Sequence, residues 1–193
     1  MEHYFFALLS RMKYIDRWAL MRNTSKENLS QHSCEVAMIA HALAVIGKKR
    51  FNKDYNPERA ALLALYHDSA EIFTGDLPTP VKYFSPEIKN AYLSVESAAI
   101  SNLLRALPND LRAEYENILS PEKEDSSLLP LVKAADRLSA LIKCIEERKA
   151  GNIEFEKAEA ATREKLMQSD LPEVSVFIEE FLGGFELTLD QLN

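Results

Sequence analysis

Two histidines and two aspartates fall where helical segments of this sequence otherwise place apolar side chains: His32 in SQHSCE, His67 and Asp68 in LYHDSAE, and Asp136 in KAADRLSA. An unpartnered buried polar group costs on the order of 1 to 3 kcal/mol, and a lone charge far more, so the four together need a common explanation. A shared divalent ion satisfies all of them. Two neutral imidazoles and two carboxylates make a mixed nitrogen and oxygen shell, suited to six-coordinate ions of the Mn, Co, Fe or Mg class, whereas structural zinc more often takes thiolates. Such a shell leaves positions for water and substrate. Its chemistry is a lowered pKa for bound water and a polarised phosphoryl oxygen.

The elements that must bring these groups together are helices. Glycine is scarce, with 5 in 193 residues, strand-like alternation is almost absent, and apolar residues recur at three and four, which gives an all-α chain. A first helix is expected to about Met12, followed by an irregular stretch over residues 14–28. The stripe Val36, Ile39, Ala40, Leu43 and Ile46 predicts a helix capped by Asn28 or Ser30 and stopped at Gly47, with His32 on its inward face. His41, half a revolution away, reads as an ordinary histidine, and nothing around His3 suggests chemistry. Pro57 starts a third helix, almost wholly apolar from Ala60 to Tyr66. That helix is expected to present His67, Asp68 and, one turn on, Glu71 at its C-terminal end. Taken singly, His67 could bond a backbone carbonyl and Asp68 could form a buried salt bridge; their joint occurrence with His32 and Asp136 favours the metal.

The segment GDLPTPVKYFSP (75–86) breaks helix repeatedly and must be a loop of defined shape. Ser85 and Pro86 then start a helix with Ile88, Tyr92, Val95, Ala99 and Leu103 on one face. Pro108 and the polar run SPEKEDSS bracket a shorter helix. A long helix over 128–150, closed by Gly151, carries Asp136 at the edge of its apolar stripe, and two more elements complete the chain.

Composition narrows the function classes. At 47% apolar residues the chain can bury one sizeable core, and a single domain over 1–193 is expected. A formal charge of −7 argues against binding nucleic-acid backbones, while leaving room for a small anionic substrate met by one or two local cations. Cys34 and Cys144 form no CxxC pair and read as reduced, buried thiols. The N-terminus lacks the basic region and cleavage site of a signal peptide, and no uninterrupted apolar run reaches 18 residues; the expectation is a soluble, cytoplasmic protein with no membrane partner.

The order His, then His-Asp, then Asp, each on its own helix, resembles the signature of the HD-domain metal-dependent phosphohydrolases. The strings SRMKYIDRWALMR, LYHDSAEIFTGDLPTPVKYF and LVKAADRLSALIKCIEE look like those of the bacterial YfbR-type 5′-deoxynucleotidases over nearly the full length, and GDLPTPVKY is the most specific of them. No ligand position is substituted. The resemblance implies a single-domain HD helical bundle. It also implies a homodimer that hydrolyses 2′-deoxyribonucleoside 5′-monophosphates with one divalent ion, cobalt or manganese being favoured. His32, His67, Asp68 and Asp136 would bind the metal, Asp68 and Asp136 would also lie against the substrate, and Glu71 would orient or deprotonate the attacking water. Arg17 would hold the phosphate with its planar fork and offset charge developing in the transition state. Trp18 would lie against the sugar, where its bulk obstructs a 2′-hydroxyl. Asp76, Leu77, Pro78 and Thr79 would contact the nucleoside, with Asp76 accepting from the 3′-hydroxyl. Pro80 and Lys82 are weaker candidates, Lys82 reading better as a solvated charge. Two alternatives stand beside this one: another HD phosphohydrolase acting on a cyclic nucleotide or guanosine alarmone, and a non-catalytic metal-binding dimer. The GDLPTP loop with Arg17 and Trp18 argues against the first, and Glu71 with Arg17 against the second.

Overall fold

The computed structural model describes residues 2–82, 84–121 and 123–192. Tyr83 of the GDLPTPVKY string and Glu122 of the polar run lie outside them. Ten α-helices follow in chain order: α1 (Phe5–Leu9), α2 (Leu29–Arg50), α3 (Pro57–Tyr66), α4 (Glu71–Thr74), α5 (Thr79–Lys82), α6 (Pro86–Arg105), α7 (Asn109–Leu119), α8 (Leu129–Lys149), α9 (Glu156–Met167) and α10 (Pro172–Glu180), with short 3-10 turns between several of them. The described residues form no strand, only an isolated bridge between Asp16 and Asn28.

The centre of the bundle is α2 packed on α3 and α8. Val36, Ala40, Leu43 and Ala44 of α2 meet Ala60, Leu63 and Ala64 of α3 and Leu131, Ala135, Leu138 and Leu141 of α8 in one apolar cluster. Each large side chain buried there is worth roughly 1.5 to 3 kcal/mol over its exposed state. By length and composition α2 is also apolar enough to pass for a membrane span, but half of that stretch is buried inside the fold. A second cluster joins α1 to the C-terminal half of α6 and to α7 through Phe5, Leu103, Leu104 and Leu119.

Local sequence sets the registers that matter for the site. Asn28 caps α2 by accepting from the Gln31 N–H while the Gln31 side chain accepts from the Asn28 N–H, a reciprocal arrangement in which the cap alone is worth about 1 kcal/mol. Pro57 opens α3 behind an Asn56 cap, and Gly151, at φ +83°, follows the end of α8.

Several expectations are corrected. Gly47 does not stop α2, which continues to Arg50. A Cβ there would sit 2.6 Å from the Tyr55 ring and 2.8 Å from Glu173 Oε1, so its smallness serves a close approach within the helix. Gly47→Ala should therefore lower stability by about 1 to 3 kcal/mol in chemical denaturation, the usual cost of overpacking. On α6, Tyr92, Ala99 and Leu103 are buried, but Ile88 and Val95 are exposed. Cys34 is exposed; only Cys144 is buried, and burial pushes its thiol up to about 12.

Candidate active site

The site lies where α2, the end of α3 and the middle of α8 meet. His32 is fully buried in the first turn of α2, and its N–H donates to Asn28 O at 3.1 Å. The cap therefore fixes the histidine that follows it. The helix α3 ends at Tyr66, sooner than the periodicity predicts, and residues 67–70 form a turn that leads into α4. His67 caps α3 with its Nδ1 2.7 Å from Ala64 O. A carbonyl only accepts, so Nδ1 carries a proton and Nε2 is the nitrogen turned to the site. Glu71, the first residue of α4, donates its N–H to Asp68 O at 2.9 Å, which keeps it one turn beyond the pair. Asp136 projects from α8, its side chain 38% exposed.

One ligand atom each from His32, His67 and Asp68 lies within 4.8 Å of the others. Asp68 Oδ2 is 3.2 Å from His67 Nε2 and 3.6 Å from His32 Nε2, and Asp136 Oδ1 is 3.1 Å from His32 Nε2. Both Nε2 atoms are buried yet make no hydrogen bond with the described residues; the His32–Asp136 contact is close but not aligned as one. Two orphaned imidazole nitrogens facing two carboxylates are the donor set of a divalent cation. The electrostatics agree. Although burial opposes its charge, His67 is raised to about 9 by Asp68 and Asp136. Burial alone would raise Asp68, but His67, His32 and Arg17 hold it below the usual carboxylate range. Glu71 is pushed up to about 9 by its own burial and by the charges of Asp68 and Asp76, and its Oε2 has no hydrogen-bond partner among the described residues. The cluster needs a cation, and the residues present fit one.

Arg17 and Trp18 reach this cluster from the irregular stretch before α2. That stretch is tied down at both ends. Near its start the Arg17 N–H donates to Glu27 O at 2.9 Å, and the Leu29 N–H donates to Ile15 O at 3.0 Å. Further along, the buried Glu147 accepts from Thr24 Oγ1 at 2.6 Å, Ser25 N at 3.2 Å, Lys143 Nζ at 2.5 Å and Asn152 Nδ2 at 2.8 Å. Arg17 Nη1 lies 3.1 Å from Glu27 Oε2 and 2.7 Å from His32 Nδ1, and Nη2 lies 3.8 Å from Asp136. Trp18 donates its indole N–H to the same Glu27 Oε2 at 3.0 Å and packs on Phe155, ring centroids 5.3 Å apart. Its φ of +59° is costly for a bulky side chain and typical of functional sites.

Comparison with known proteins places this arrangement. A family model described as "5′-deoxynucleotidase YfbR-like" matches residues 4–185. The chain belongs to the YfbR-like 5′-deoxynucleotidase family. Among its relatives, a 5′-deoxynucleotidase of Vibrio cholerae serotype O1 is 48% identical, the match covering 100% of this chain and 99% of that protein. One of Erwinia tasmaniensis is 46% identical over 98% of this chain and 96% of its own. Among solved structures, an HD-domain phosphohydrolase of Listeria innocua superposes with a TM-score of 0.81 at 24% identity, covering 94% of this chain and 87% of that one. A cyanophage S-2L HD phosphohydrolase, solved with dA and one catalytic Zn2+ ion, gives 0.65 at 22% identity over 92% and 96%. The fold is therefore that of the HD-domain phosphohydrolases.

In this YfbR-like chain the proline-rich segment comes up against Trp18 beside the site. Gly75, at φ +71°, turns the backbone out of α4, and Asp76 Oδ2 accepts from the Trp18 N–H at 3.3 Å. Leu77 and Pro78 are half-buried, while Thr79 and Pro80 are exposed at the start of α5. Lys82 is not the solvated charge expected. It is half-buried, bonds Glu96 at 3.0 Å and lies 4.3 Å from the centre of the Tyr92 ring. Three residues that line the site escaped sequence reasoning: Glu27, Glu35 and Ser139. Glu27 falls in a stretch without periodicity, and the other two occupy helix positions that read as ordinary polar residues.

Proposed function

We propose that this protein removes the 5′-phosphate of 2′-deoxyribonucleoside 5′-monophosphates, yielding a deoxynucleoside and inorganic phosphate. The observation that carries the reading is the convergence of His32, His67 and Asp68 within 4.8 Å, beside Arg17, in a chain of this family. His32, His67, Asp68 and Asp136 would hold one divalent ion, with Co2+ or Mn2+ favoured. Such an ion supplies Lewis acidity, which activates water and polarises a phosphoryl oxygen.

The chain's own groups supply the rest. Arg17 turns its fork to the phosphate oxygens and offsets charge that builds up in the transition state. As the water oxygen bonds to phosphorus and the P–O5′ bond breaks, Glu71 takes the water's proton and can return it to the departing 5′-oxygen. Its unpartnered Oε2, one turn from the ligands, is placed for that exchange. Asp76 spends one carboxylate oxygen on the Trp18 N–H and keeps the other for the sugar 3′-hydroxyl, with Leu77, Pro78 and Thr79 beside the nucleoside. A cytoplasmic homodimer is part of the same proposal. Phosphate release should be seen with deoxynucleoside monophosphates plus Co2+ or Mn2+ and should vanish with chelator. Ring opening of cyclic nucleotides to nucleoside monophosphates, or pyrophosphate release from guanosine alarmones, without phosphate release from deoxynucleoside monophosphates would replace the substrate assignment.

Discrimination between sugars is hard to achieve by affinity, because a pocket rejects an added hydroxyl only weakly unless it clashes. Trp18 offers the clash: Glu27 and Phe155 hold its ring and Asp76 its backbone N–H. Wild-type protein should hydrolyse dAMP much faster than AMP. Trp18→Ala should narrow the ratio of kcat/KM values by about tenfold or more, and an unchanged ratio would pass the sugar-reading role to the Asp76 loop.

A further inference from the structure

We propose that Ser139 and Glu35 form a hydrogen-bonded relay that sets the ring orientation and tautomer of His32, making both positioning residues for the metal site. The inference rests on the assignment of His32 as a ligand. Glu35 lies one turn beyond His32 on α2, and Ser139 one turn beyond Asp136 on α8, so each of the two helices delivers a ligand and, next to it, a support. Ser139 is fully buried. Its hydroxyl donates to Glu35 Oε2 at 2.5 Å and lies 3.0 Å from His32 Nδ1.

The hydrogen count decides what the relay does. A serine hydroxyl has one hydrogen, and here Glu35 takes it. Only lone pairs remain for His32, so Ser139 Oγ accepts from an Nδ1–H and leaves the Nε2 lone pair turned to Asp68 and Asp136. Arg17 Nη1, 2.7 Å from the same Nδ1, is a donor and favours the opposite tautomer. Among the described residues no other side-chain acceptor bonds Nδ1, Glu27 Oε1 lying 3.8 Å away. The Ser139–Glu35 pair therefore determines which ring nitrogen is offered to the ion, and partners of this kind typically change metal affinity 10- to 100-fold.

Co2+ affinity, measured by calorimetry on full-length protein, tests this. Ser139→Ala and Glu35→Leu should each weaken Co2+ binding by roughly 10- to 100-fold, while Glu35→Gln, whose amide oxygen still accepts from Ser139, should stay close to wild type. At saturating Co2+ the KM for dAMP should be unchanged. Wild-type Co2+ affinity in folded Ser139→Ala protein overturns the relay, as does an equal loss in Glu35→Gln and Glu35→Leu, which would make charge the cause. Should Ser139→Ala fail to fold, Glu35→Leu, at a half-buried position, decides alone. Asp68→Ala run in parallel separates the two levels. If it loses Co2+ while Ser139→Ala does not, only the relay fails; if it too binds Co2+ as wild type does, the metal assignment itself fails.

Discussion

Asp68→Ala protein should keep its helices, lose its metal and release no measurable phosphate from dAMP. Among the described residues Asp68 is the one carboxylate within 3.6 Å of both orphaned imidazole nitrogens, so its removal takes a negative ligand from the middle of the set. Apparent metal affinity should collapse and turnover with it, a larger effect than losing any single substrate contact. The fold should survive, because Asp68 sits in the turn between α3 and α4 and contributes nothing to the apolar cluster of α2, α3 and α8. Elemental analysis for metal, far-UV circular dichroism and phosphate release together decide the matter. Full activity without metal would sink the phosphohydrolase assignment, and loss of helix content would make the site structural.

Glu71→Ala should separate chemistry from binding. Metal content and KM for dAMP should stay near wild type while kcat falls by roughly 10² to 10⁴, the range for a lost general acid or base. Glu71 is 7% exposed and its N–H bonds Asp68 O, which puts its carboxyl one turn beyond the pair, within reach of a proton moving between water and the departing oxygen. Raised KM with unchanged kcat would make it a binding residue. Arg17→Ala should damage both parameters, because the same guanidinium meets the phosphate before and during reaction.

How much of this was legible in the sequence depended on the kind of signal. His32, His67, Asp68 and Asp136 stood out because each interrupts an apolar helical pattern; the structure brings the first three within 4.8 Å of one another and sets Asp136 3.1 Å from His32. Pattern alone did not place the end of α3. Periodicity continues through residues 67–71, yet Tyr66 closes the helix and the His67 imidazole, bonded to Ala64 O, caps it. Gly47 was misread because a glycine that permits close approach looks, in sequence, like one that ends a helix. Cys34 was misjudged for a related reason: it lies among apolar residues but on the outer face of α2. Glu147 was invisible, since Lys143 and Glu147 four apart look like a surface ion pair. Their burial depends on Thr24, Ser25 and Asn152, which no local pattern connects to α8.

Glu27 Oε2 receives both the Arg17 guanidinium and the Trp18 indole. The grip on phosphate and the choice of sugar would thus hang from a single oxygen atom. Substitutions at 17 and 18 should then show epistasis, their effects on kcat/KM failing to multiply, as expected for residues that share a partner. Retraining such a pocket toward ribonucleotides by changing the tryptophan alone would loosen the arginine as well. A second substitution that gives the freed carboxylate a new donor should recover the lost phosphate affinity while leaving the new sugar preference in place.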